Sequence, residues 1–164
     1  MSNIEVVERY AAGGPLLAYA VTGLLPELEK ARPGPGAWSI AELVAHLLDA
    51  DLVYADRMKR VIAEDEPTLQ AFDENAWIAR LEPQDKPVEE AVNLFAANRH
   101  WMARILRALQ ESDFERVGIH SESGQQTLAY LVENMANHLD HHLRFLYAKR
   151  GNLGVAVPPR YTKV

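Results

Sequence analysis

From Thr127 to Arg150 the apolar residues return once per helical turn. Leu128, Leu131, Val132, Met135, Leu139, Leu143, Phe145 and Leu146 share one arc, and Glu133, Asn134, Asn137, Asp140 and Arg144 lie opposite. A strand alternates every second residue and cannot carry that rhythm, so this segment is a helix, with Thr127 as N-cap and Gly151 as its stop. Three further stretches read the same way. The first runs from about Ile4 to Val21, kinked or broken at Gly13-Gly14-Pro15, and is followed by a helical turn opened by Pro26 and a loop from Arg32 to Gly36. The second runs from Ser39 to about Glu64, opened by the capping box Ser39/Glu42, and the third from Pro87 to about Gln110. The crossover Glu66 to Pro87 holds a short helix at Glu74 to Arg80. In the connection Glu111 to Gln126, Phe114, Val117 and Ile119 are expected to dock on the core, and no stretch reads as a sheet. The expected fold is all-α: a four-helix bundle with long crossover connections over residues 1-150, followed by a tail, 151-164.

The 164 residues suit one domain. A net charge of -6 with scattered basic residues argues against nucleic acid, whose binding needs clustered Lys and Arg. The chain contains no cysteine, which removes disulfides, thiolate zinc sites and cysteine nucleophiles. No signal-like or membrane-spanning apolar run is present, so the expected setting is the cytoplasm and the expected partner a small molecule.

His138, His141 and His142 sit within the last helix. Residues four apart differ by about 40° in azimuth and about 6 Å in height, so His138 and His142 can converge on one ion. Both fall in the apolar arc, whereas His141, about 100° away from His142, falls on the polar side. One histidine on an apolar face is usually a hydrogen-bonded core residue; two at this spacing bring a metal pair level with that explanation. On the second helix His46 sits at the edge of the face formed by Leu43, Leu47, Ala50, Tyr54 and Val61, where it is either an interfacial residue or a third ligand. Three inward histidines are more than an ordinary core needs.

Other polar residues have two readings each. Asp49 and Glu42 are candidates for an acceptor from a ligand imidazole or for a general base, against the commoner role of solvated helix charge, with Glu42 chiefly a cap. His120 either lines the mouth of the site or is a loop residue. Arg57 and Arg99 fall within apolar arcs, where they either receive an anionic substrate or snorkel to solvent. His100 is expected in solvent, and Trp38, Trp77 and Trp101 in packing.

The run Trp38-Ser39-Ile40 with Glu42 and His46, then Tyr54 and Arg57, then Thr127-Leu128-Ala129 leading to His138 and His142, resembles the DinB/YfiT-like superfamily of metal-dependent enzymes along nearly the whole chain to Arg150. The resemblance implies a divalent metal on His46, His138 and His142, frequent dimerisation, and kinship with transferases and isomerases that use bacillithiol, mycothiol or glutathione. Zinc or nickel suits imidazole ligands, and three ligands leave positions open for chemistry. Transfer of a low-molecular-weight thiol is the leading expected reaction and metal-assisted hydrolysis the second. A non-enzymatic metal- or small-molecule-binding stress protein is the competing class. A homodimer is expected from surplus apolar residues on the first helix (Leu16, Leu17, Tyr19, Val21, Leu24, Leu25) and from Trp101 on the third.

Overall fold

The computed structural model describes residues 1–163. Its elements are α1 (Asn3–Ala11), α2 (Gly13–Ala20), α3 (Pro26–Lys30), α4 (Ile40–Ala63), β1 (Thr68–Leu69), α5 (Glu74–Leu81), α6 (Val88–Leu106), β2 (Val117–His120), β3 (Gly124–Thr127) and α7 (Leu128–Asn152). The bundle consists of α1 with α2, α4, α6 and α7, packed as a four-helix unit.

Local chemistry explains the boundaries. The Ser39 hydroxyl accepts from the Glu42 amide while Glu42 accepts from the Ser39 amide, so α4 opens on a complete capping box. Thr127 caps α7 by accepting from the Tyr130 amide at 3.1 Å. The predicted break in the first helix separates α1 from α2, and its glycines have a packing role. A Cβ at Gly13 would overlap the Arg99 guanidinium, and one at Gly14 would lie 3.0 Å from the Ala96 backbone, so these glycines let α2 approach α6 closely. α6 is shorter than predicted because the chain turns at Arg107, and Gln110 caps a separate 3-10 turn at Glu111–Glu115.

Two apolar clusters fill the interior. One joins α1 to the C-terminal halves of α4 and α6 and the start of α7; the other joins α2 to the opposite ends of α4, α6 and α7. Among the residues flanking both is Arg99, fully buried, which donates through Nε to Asp51 Oδ1 at 2.8 Å and to the carbonyls of Tyr10 at 3.1 Å and Met135 at 2.9 Å. Arg99 therefore binds the bundle together and does not face a substrate, which corrects its expected role.

The crossovers depart from the expectation of no sheet. β1 pairs parallel with β2, and β2 antiparallel with β3. Of the three residues expected to dock, Phe114 is buried, Val117 is partly covered and Ile119 is 40% exposed. The period-two alternation of β2 turns Gly118 inward against Leu69, which sends Ile119 outward.

The tail folds back on the bundle. Val157, Tyr161 and Leu153 pack beside Leu16, Tyr19, Val21 and Leu24, and Tyr19 donates to the Pro158 carbonyl at 3.0 Å. Thr162 donates from its amide and hydroxyl to Asp140, both at 2.6 Å. Most of the apolar surplus on the first helix is thus covered by the chain itself, and Leu17 is core. Leu25 stays 57% exposed, and on α6 Leu94 and Trp101 are 58% and 61% exposed. Trp101 is therefore a surface residue and not a packing one.

Candidate metal centre

α4 carries His46 and α7 carries His138 and His142, and the packing of these two helices brings the three rings together. His46 Nε2 lies 3.1 Å from His138 Nε2 and 3.2 Å from His142 Nε2. One ligand nitrogen from each residue lies within 4.8 Å of the others. His141 lies outside the cluster, exposed, with its ring edge-on to those of His142 and Phe145. Trp38 packs against His46 with ring centroids 5.1 Å apart.

The arrangement suits a cation better than it suits itself. Three nitrogens so close can share a proton along only one edge at a time, leaving lone pairs facing each other. Two imidazole nitrogens bound about 2.0–2.1 Å from one ion are separated by about this much, so the two separations from His46 match those of ligands on one divalent metal. Burial, followed by the charges of His142 and His46, drives the pKa of His138 down to about 2. His142 falls to about 4, again first through burial and then through the neighbouring histidines. His46 is lowered by burial, against the attraction of Glu74. All three rings are therefore neutral at pH 7, the form that binds metal.

A pH dependence follows for metal-free protein. The folded pKa values lie below the ordinary histidine value near 6.5, so below that pH the unfolded chain binds more protons than the folded one. Stability should be complete above about pH 6.5 and should fall as the pH drops toward the folded values. Thermal melts from about pH 7.5 to about pH 4 should show Tm falling, with a shallower fall in His138→Asn. A Tm that holds or rises on acidification, with no difference between the two proteins, would contradict the assignment.

A cavity of about 230 Å³ opens beside His46 and His138. His120 lines it from the end of β2, and Arg57 lines it from α4. His120 accepts at Nδ1 from the amides of Glu122 at 3.2 Å and Ser123 at 3.3 Å. Its pKa is lowered by burial and then by Arg57. Arg57 is 3% exposed, stacks on Tyr54 with 4.6 Å from Cζ to the ring centroid, and donates to the Gln70 carbonyl. Snorkelling does not describe it.

Asp49 is a correction. It lines a different groove, with Leu48, Arg80 and Lys86, so it supports none of the histidines, and burial raises its pKa. Glu42 caps α4 and pairs with Arg32. The carboxylate that does face the cluster is Glu74, whose Oε2 lies 3.8 Å from His46 Nδ1, beyond direct hydrogen-bond reach but close enough to favour a proton on Nδ1 and a free Nε2. Sequence reasoning placed Glu74 only at a helix start. No periodic signal marks it, because its position depends on how α5 settles over α4.

One buried and two half-buried imidazoles, gathered between two helices of a bundle and beside a cavity, define a candidate metal-binding site. The chain belongs to the DinB superfamily, whose sequence profile matches residues 12–146. It is 32% identical over 108 residues to "Putative metal-dependent hydrolase OB0782" of Oceanobacillus iheyensis, covering 66% of this chain and 62% of that protein. It is also 32% identical over 127 residues to "Putative metal-dependent hydrolase GK0616" of Geobacillus kaustophilus, covering 77% and 71%. The match to the first of these spans just under two thirds of that relative's length. YfiT from Bacillus subtilis, described as a probable metal-dependent hydrolase with an unusual four-helix bundle topology, superposes with a TM-score of 0.86 at 20% identity over 93% of this chain and 87% of its own, a likeness of fold. Among the described residues, no helix is long and apolar enough to cross a membrane.

Proposed function

We propose that the protein is a metal-dependent hydrolase of small molecules, with His46, His138 and His142 holding one divalent ion. The observation that carries this reading is the convergence of three neutral Nε2 atoms, 3.1 and 3.2 Å from His46 to its two neighbours, with His46 and His138 lining a cavity. When bound, the ion supplies a Lewis acid that brings the pKa of a water toward neutral. The chain's own residues do the rest. The Glu74 carboxylate favours a proton on His46 Nδ1, Trp38 packs on the His46 ring, and Arg57 and His120 border the space in which a substrate would lie. Hydrolysis takes precedence over thiol transfer because the relatives bear hydrolase names, while the same Lewis acid would serve a thiol equally well. Zinc or nickel remains the proposed occupant.

Protein purified without a histidine tag should retain about one divalent ion per chain. It should cleave members of a panel of activated esters and amides, with activity lost to a chelator and restored by zinc or nickel. Turnover that appears only when bacillithiol, mycothiol or glutathione is added would move the assignment to thiol transfer. Protein that neither retains nor takes up metal would overturn both.

A further inference from the structure

Three arginines are buried to a similar depth, and they differ in how their charge is met. Arg99 has Asp51, and Arg150 donates to the carbonyls of Val155, Ala20 and Thr22. Arg57 donates to the Gln70 carbonyl, its Nε is buried with no partner, and among the described residues no carboxylate lies within ion-pair distance of it. A buried guanidinium stays charged, so an uncompensated one is held at a cost that an arriving anion would relieve.

The groups beside Arg57 in the cavity are also donors. His120 uses its Nδ1 lone pair for two amides, which places its proton on Nε2. Asn134 donates to the Tyr54 hydroxyl at 2.8 Å, leaving the phenolic proton to be given elsewhere. Two carboxylates share the space: Glu74 faces His46, and Glu122 is exposed to solvent. The volume of about 230 Å³, roughly eight waters' worth of liquid, suits a small molecule or the end of a longer one.

We propose that the substrate is a small organic acid whose oxyanion is held by Arg57, His120 and Tyr54, beside the histidine cluster. The inference rests on the metal-centre reading only for where the reacting end of that acid lies. The oxyanion satisfies the three donors, and the rest of the molecule extends toward His46 and His138.

Phenylacetate and its neutral isostere phenylacetamide, titrated into chelator-treated protein and followed by amide NMR shifts, test the proposal apart from any metal. Phenylacetate should bind with shifts at residues lining the cavity, and phenylacetamide at least about tenfold more weakly. Arg57→Gln should weaken phenylacetate by about 10- to 100-fold, and Arg57→Lys by less. Because Arg57 also anchors the crossover through Gln70, folding is checked by circular dichroism. His120→Ala, at a partly exposed position, supplies an independent arm with an expected loss of about tenfold. Equal binding of the acid and the amide, no binding of either, or full affinity in both Arg57→Gln and His120→Ala would overturn the proposal. A protein that binds phenylacetate but never takes up metal would retire the hydrolase reading and leave this one standing.

Discussion

His138→Ala should lose divalent-metal affinity by on the order of 1,000-fold, more than the 10- to 100-fold typical of removing a group that only supports a ligand. The ring supplies one of three convergent nitrogens, its Nε2 lies 3.1 Å from that of His46, and its Nδ1 has no partner. His141→Ala is the matched control. It removes a histidine three residues along the same helix, exposed and touching only the edge of the His142 ring, and metal affinity should change by no more than about twofold. Glu74→Gln should fall between the two, since its carboxylate acts on His46 from 3.8 Å. Competition titrations against a chromogenic chelator measure all three. Wild-type affinity in His138→Ala, or an equal loss in His141→Ala, would place any metal elsewhere.

Asp51→Ala should destabilise the fold by about 3–5 kcal/mol, because it leaves Arg99 charged and unpaired in the interior. Both side chains are fully buried and 2.8 Å apart, and Asp51 also accepts from Asn98 at 2.8 Å and from the Tyr10 hydroxyl at 3.4 Å. Replacing both partners, as in Asp51→Leu with Arg99→Met, removes the charges together and should recover much of the loss. Arg99 also donates to the Met135 carbonyl, one helical turn before His138, so the single variant should weaken metal binding as well. Urea denaturation monitored by circular dichroism gives the stability. A loss below about 1 kcal/mol would show that the pair is dispensable.

The two arginines mark where reading from sequence reaches its limit. Arg57 and Arg99 occupy equivalent places in apolar arcs, and nothing in either helix separates them. They are sorted by partners far away in the chain: Asp51 on α4 neutralises Arg99 on α6, whereas Arg57 meets a single crossover carbonyl and a cavity. Asp49 and Glu74 were exchanged for the same reason. Asp49 is one turn from His46 in sequence but faces another groove, and Glu74 reaches the ring from α5. The sheet was missed because β1 has two residues and its partner lies beyond the whole of α6, so the pairing carries no local periodic signal.

What the sequence by itself determined is whatever depends on neighbours within about a turn of helix: the caps at Ser39 and Thr127, the break at Gly13-Gly14, and the phase that turns His138 and His142 inward and His141 outward. Tertiary structure alone decided which carboxylate faces His46, which buried guanidinium keeps an unanswered charge, and that the tail covers the apolar side of α2. Helix phase is set by backbone geometry a few residues at a time. A buried charge, an edge strand or an apolar face is satisfied by whichever distant segment packing delivers to it.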